Sequence, residues 1–419
     1  MIEADELAAI ASLIADGEDR EAFTRLRSRL GWPRGKQLTD LTGWLDLLAQ
    51  LAATRGVSQV VDLSRAAVLD PDSPDKLFAL GYALIDSGAA SIAASVLWRC
   101  LQLVGDSEEV VCELVSALES ALAYNDAFAI LEEHASLRGR SFICEYLYAF
   151  NAAMTGRLDI TRNELARLVP DSEETESMRA TITAIIERAD RVAGVCSLDT
   201  RDLRGWHYVL TGSVLQHQSP YGFDEPMHGR YAWLRDSIER IATGLLRFAP
   251  LVRGTECVYA PPIPLAHPLS VSSHEILGRA LARMLGVPFV PWPAVGVPAP
   301  GVIVLYDLTE LPPDDVTRLL QRRPGQVLYA HASPWTQDFP IAPDVTTVLY
   351  QSLVAPWDGT TSVDTIINQI TTSAGLEADE TAADELVRLT ALVQKAWPPL
   401  PGQRSRLWAG GPVPSNRFD

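Results

Sequence analysis

The chain has 419 residues, 47% of them hydrophobic and 21% charged, a composition that excludes a disordered protein and a length that exceeds one ordinary core. The formal net charge is −18, and residues 1–200 carry 32 acids against 18 bases, so with no Lys/Arg cluster to offset them neither nucleic acid nor an anionic membrane is an expected partner. No apolar run is long enough to span a bilayer, acids stand where a secretory leader carries bases, and the five cysteines include no C-x-x-C; the expectation is a reduced, cytoplasmic protein without membrane insertion.

Residues 1–30 read as amphipathic helix. Beyond them a 34-residue period emerges: Leu63, Leu97, Leu131 and Leu165 stand 34 apart, as do Leu80, Leu114 and Tyr148, and Ala93 and Ala127. The clearest unit is Pro74–Ser107. Leu77, Leu80, Gly81 and Leu84 share one face of its first helix, and Ala93, Leu97 and Cys100 line its second. Gly88 allows a tight turn between them, because glycine reaches positive φ without steric cost. Pro71, in the joint Leu69–Pro74, ends the preceding helix. Later units depart from the pattern, with Leu122 at the turn of the third and Thr161 in place of the small residue in the fourth. Glu173–Ala193 reads as a closing helix.

These features, over roughly residues 40–175, resemble the tetratricopeptide repeat (TPR) family. The resemblance implies an α-solenoid, since one repeat cannot bury its own apolar face, and a concave surface that takes a protein or peptide partner. Residues 1–195 are therefore expected to form a TPR-like domain.

Near residue 200 the composition shifts to Pro, Trp, His and Tyr. Arg204–Ser237 is dense in aromatic and polar groups, and an amphipathic helix is predicted over Tyr231–Phe248. Strands follow at Cys257–Ala260, Phe289–Val290, Gly301–Leu308, Gln326–Ser333 and Val345–Val354. Helices are predicted at Ser272–Leu285, Pro313–Arg322, Val363–Ser373 and Glu380–Trp397. Ser272 and Glu275 have capping-box spacing at the first of these. Apolar strands alternating with helices predict an α/β domain with a mainly parallel sheet over residues 196–400. Residues 401–419, rich in Pro and Gly, read as a loosely ordered tail. The fold class expected is thus multidomain: an α-solenoid, then α/β.

Within the second half, the helix run Ile276, Leu277, Gly278, Leu281, Ala282, Leu285, Gly286, Val287 and Pro288, followed by the strand GVIVLYDL, resembles a phosphoribosyltransferase-like core. The resemblance implies a ligand site at the strand's carboxyl end, where Asp307 stands. The sequence departs from that family in having Tyr306 where a second acid belongs. After Asp307 it has LTELPPDD in place of a phosphate-cradling loop. His331, Ser333 and Trp335 follow a neighbouring strand and share the expected edge, with Arg230 and Tyr231 as further walls. His207, His217, His228, His267, His274 and His331 have no metal-ligand spacing, so no metal and no cofactor is expected. The function expected first is an adaptor or regulatory scaffold with a non-catalytic α/β domain, homodimerisation being a further use of the array. The alternative is an enzyme or sensor of a small phosphorylated ligand, a nucleotide or phosphosugar, at the edge near Asp307 and His331.

Overall fold

The computed structural model describes residues 2–220, 227–262, 272–293, 295–296, 300–357, 361–375 and 380–415; His267 lies outside them. The chain divides into two compact units, residues 1–182 and 183–419. The boundary falls before the expected residue 195, inside the closing helix. Among the described residues no helix is long and apolar enough to cross a membrane.

The first unit is helical. It comprises α1 (Ile2–Ala15), α2 (Asp19–Leu30), α3 (Thr42–Thr54), α4 (Ser58–Leu69), α5 (Pro74–Asp86), α6 (Ala90–Val104), α7 (Glu108–Ser120), α8 (Tyr124–Glu133), α9 (Ala135–Arg138), α10 (Phe142–Met154), α11 (Leu158–Leu165) and the first half of α12 (Glu173–Val192). Sequence neighbours pack as pairs, α3 with α4, α5 with α6, α7 with α8 and α10 with α11, and each pair stacks on the next. One buried apolar cluster runs from Ile10 to Ala152, which is how elements too small to bury their own faces become stable together. The 34-residue period marks this seam: Leu80, Leu97 and Leu114 are fully buried, and Leu131 and Tyr148 nearly so. At Gly81 a Cβ would lie 2.5 Å from Leu97 Cγ, so glycine sets the approach of α5 to α6. The turns are left-handed at Gly88 (φ +79°), Leu122 (φ +58°) and Gly156 (φ +79°). Thr161 is tolerated in the fourth pair because its hydroxyl donates to the Ala149 carbonyl across the pair at 3.3 Å and to Arg157 O at 3.2 Å.

The second unit is built on a seven-stranded parallel sheet: β1 (Val214–Leu215), β2 (Tyr231–Arg235), β3 (Val258–Ala260), β4 (Phe289–Pro291), β5 (Gly301–Asp307), β7 (Gln326–Pro334) and β8 (Val345–Val354). The chain also forms β6 (Gln321–Arg322), which pairs antiparallel with β9 (Gly402–Gln403). The sheet order is β1-β8-β7-β5-β3-β4. β1 pairs near the start of β8, with Val214 opposite Val345; β2 pairs near its end, with Tyr231 opposite Tyr350. Together β1 and β2 make one interrupted edge strand. Every residue of β5 and β7 is buried, as continuous apolar runs in a doubly covered sheet require.

The remaining helices are α13 (Leu203–Thr211), α14 (Ile238–Phe248), α15 (Ser273–Leu285), α16 (Pro313–Leu319), α17 (Val363–Thr372) and α18 (Glu380–Gln394). α14 meets the sheet at Gly244, where a Cβ would lie 2.3 Å from Thr347 Oγ1. α15 meets it at Gly278, where a Cβ would lie 2.7 Å from the Phe289 ring. On the other face Ile303, Leu305, Leu328 and Ala330 pack with Leu319, Ile341 and Leu407.

Three local expectations need correction. Tyr231–Phe248 is not one helix: Tyr231–Arg235 pairs with β8, and the helix starts only after Ser237, whose hydroxyl accepts from Arg240 N. The helix from Pro313 ends at Leu319, because Gln321 and Arg322 pair with the C-terminal segment. That segment is not loose. Arg404, Leu407, Ala409 and Val413 are buried, and Arg404 reaches Asp344 at 2.9 Å and Gln326 at 3.2 Å.

Candidate functional site

Side chains alternate across a strand, so Tyr306 and Asp307, consecutive at the carboxyl end of β5, face opposite sides of the sheet. Each joins a buried polar cluster.

On the Tyr306 side the centre is Asp236, which follows β2. Its Oδ2 lies 2.9 Å from His331 Nε2 and accepts from the Tyr306 hydroxyl at 3.1 Å. Its Oδ1 accepts from Ser237 N at 2.9 Å and from Arg240 Nη1 at 3.2 Å. The Asp236 and His331 side chains are both fully buried. Burial pushes the Asp236 carboxyl up, but His331, the Ser237 amide and Arg240 outweigh it and hold the group below the usual range. Burial and the neighbouring Asp236 push the Tyr306 phenol far up, so it stays a donor. The Tyr306 ring stacks on His331 at 5.6 Å between centroids and touches Trp357 at 5.2 Å.

Beside this cluster His274, at the start of α15, accepts from Tyr306 N at 3.0 Å through Nδ1. That bond puts the ring proton on Nε2, and Nε2 has no hydrogen-bond partner. Burial takes His274 down to about 3. Glu310 Oε2 lies 3.8 Å from His274 Nδ1 and is likewise without a hydrogen-bond partner. Burial, then the charge of Asp307, push Glu310 up to about 7.

On the opposite face Asp307 accepts from the Tyr350 hydroxyl at 2.6 Å and from Thr309 N and Oγ1, each at 2.8 Å. Burial raises its carboxyl despite these bonds. The expected site residues therefore separate. Ser333 bonds Thr346 at 2.9 Å. Arg230, Tyr231 and Trp335 do come together: Trp335 Nε1 donates to Tyr231 O at 2.9 Å, and the Arg230 guanidinium lies 5.7 Å from the Trp335 ring centre. Arg230 is committed, however, donating to Pro414 O at 3.1 Å and Val413 O at 3.2 Å. Asp236, Glu310 and Tyr350 were not singled out in the sequence. Reading 231–248 as one helix hid Asp236, which in fact stands at a strand end.

One group of described residues has metal-ligand types: Cys196, Asp202 and Glu385, with ligand atoms within 4.8 Å of one another. Asp202 caps α13, accepting from Gly205 N at 2.7 Å and Leu198 N at 2.9 Å. Glu385 pairs with buried Arg204 at 3.0 Å. A guanidinium already fills the cation's role there.

The helical unit holds a second candidate, an open concavity around the start of α10 lined by Arg138, Arg140, Arg167, Phe142, Glu145 and Val169 among others. Ser141 caps α10, accepting from Cys144 N at 3.2 Å. Arg138 lies over the Tyr148 ring at 3.8 Å. Arg167 is 68% exposed at its side chain and lies 3.3 Å from Glu164 and 3.9 Å from Glu145. Burial, then Glu164, push the Glu145 carboxyl up to about 7. Val169 is 77% exposed. The bases come from segments some thirty residues apart, closed together by the α10–α11 pair, so no sequence cluster announced them.

The chain matches no family model, no curated protein and no solved structure.

Proposed function

We propose that the protein is an adaptor whose helical unit, a TPR-like array, holds an acidic segment of a partner protein in the cleft of Arg138, Arg140 and Arg167. The observation that carries this reading is the cleft's charge: three guanidinium groups gather around one concavity of a strongly acidic unit. Partner carboxylates pair with the arginine forks, and an apolar residue among them covers Phe142 and Val169. A proton held on Glu145 lessens its repulsion of such a segment. The α/β unit is read as non-catalytic, since Asp236 and Asp307 at the sheet edge are already committed to internal partners.

The test is capture of proteins by the full chain, followed by surface plasmon resonance on the best interactor at several salt concentrations. Screening acts on encounter more than on buried contacts, so association should slow with salt while dissociation changes little. Replacing the exposed pair, Arg140→Glu with Arg167→Glu, should weaken binding at least about ten-fold, two charge contacts of roughly 1 kcal/mol each being lost and reversed. Capture that survives the double reversal unchanged moves the partner off the cleft; no capture at all removes the adaptor.

A second reading, a sensor of a nucleotide or phosphosugar at the sheet edge, draws support from three buried atoms without hydrogen-bond partners: His274 Nε2, His331 Nδ1 and Glu310 Oε2. Buried polar atoms are rarely left unpaired without a reason. A thermal-shift screen with nucleotides and sugar phosphates tests it, and a shift abolished by Glu310→Gln would favour it over the adaptor.

A further inference from the structure

Two of the five cysteines meet. Cys112 on α7 and Cys144 on α10 are 32 residues apart in sequence and belong to consecutive helix pairs, yet their sulfurs lie 3.6 Å apart. Cys144 is fully buried and Cys112 partly so, both within the seam of the helical core. We propose that Cys112 and Cys144 form a reversible oxidation site, at which a peroxide converts the thiol pair into a disulfide joining α7 to α10.

Geometry carries the proposal. A disulfide needs an S–S distance of about 2.05 Å, so closure asks for about 1.5 Å of combined sulfur movement. The chemistry is consistent with the contact. The hydrogen bond between the sulfurs raises Cys112 and lowers Cys144, so Cys144 is the readier of the two to lose its proton and act as the nucleophile. The Cys144 thiolate attacks one oxygen of hydrogen peroxide. The O–O bond breaks, hydroxide leaves and takes up the proton that Cys144 released on forming its thiolate, and Cys144 becomes a sulfenic acid. Cys112 then attacks the Cys144 sulfur, the S–O bond breaks, and the departing hydroxide takes the Cys112 proton as water. Two thiols are oxidised by two electrons, and one peroxide is reduced to two waters. Cys144 is fully buried, so the oxidant must reach it past the half-buried Cys112 sulfur, 3.6 Å away. Among the described residues Cys100 and Cys196 have no neighbouring thiol; burial raises them to about 11 and about 12, and they serve as internal controls.

The crosslink would fasten the first turn of α10, which carries Glu145 and follows the cap Ser141, to the preceding helix pair. In the test, the full chain is treated with hydrogen peroxide, its remaining thiols are alkylated, and its peptides are mapped by mass spectrometry. The expected product is one linked peptide pair containing Cys112 and Cys144, lighter by two hydrogens and restored by dithiothreitol. Cys144 should react faster than Cys100 or Cys196, whose thiols burial keeps protonated. Cys112→Ser should stop the link and let dimedone trap sulfenic acid on Cys144. The proposal is overturned if both cysteines remain alkylatable in peroxide-treated, natively helical protein. It is equally overturned if the link forms between other cysteines, or if Cys100 reacts as fast as Cys144.

Discussion

Leu122 shows how the repeat constrains single residues. Its counterparts in neighbouring pairs, Gly88 and Gly156, hold positive φ as glycines, and Leu122 is bent to φ +58° at the same point. A left-handed conformation costs an ordinary L-residue roughly 1–2 kcal/mol. Glycine removes that strain but adds about 0.5–1 kcal/mol of unfolded-state entropy. Leu122→Gly is therefore expected to stabilise the chain by about 0.5–1 kcal/mol, read from urea unfolding followed by far-ultraviolet circular dichroism. A loss of stability instead would mean that the half-buried leucine side chain packs for more than its backbone strain.

Between elements, the limiting dimension is the gap at Gly81 and Leu97. Gly81→Val places branched carbons inside Leu97, and overpacking of this kind costs about 1–3 kcal/mol. Combining it with Leu97→Ala should recover part of the loss, because the second change removes the clashing atoms; strictly additive destabilisation in the double variant would show that the two helices do not meet as described. The same scale explains what the sequence revealed. α15 was legible at its first residue because Ser272 and Glu275 announce a cap, and Ser272 does accept from Glu275 N at 3.1 Å. α14 was not, since Ser237 is followed three residues on by Arg240 rather than by an acid, and the strand before it merged into an apparent helix. β5, β7 and β8 stood out as apolar runs, and Asp307 as the residue ending one of them. Its partner Tyr350 and the pair Asp236–His331 did not stand out, because only the sheet order brings together residues 43 and 95 positions apart.

For the molecule as a whole, acid should be destabilising. Burial takes His207 and His274 to about 3 and His217 to about 4, from an ordinary 6.5. Unfolding lets each bind a proton below about 6.5, so their stabilising contribution is complete above that pH and is lost as pH falls towards 3–4. Glu310 acts oppositely: raised to about 7 from 4.5, it contributes most below 4.5 and loses that contribution as pH rises to 7. Glu145, also raised to about 7, acts with Glu310; three histidines still outweigh these two carboxyls, and stability should fall from pH 6.5 to pH 4.5. His207 Nε2 has no hydrogen-bond partner, so His207→Phe removes one titration without breaking a bond at that atom. Tryptophan fluorescence across a pH series should then show the unfolding midpoint displaced to lower pH; an unchanged or higher midpoint would contradict the sign.

The interrupted edge strand has a temporal consequence. Every helix pair of the first unit packs against neighbours in sequence, so it can close as soon as its own residues leave the ribosome. The sheet has no such freedom, because Val214 must wait for Val345, and Arg230 for the carbonyls of Val413 and Pro414. During synthesis the helical array is therefore packed while the second unit still lacks strands its sheet needs, so in a growing chain the half built of local contacts precedes the half that is slowest to fold.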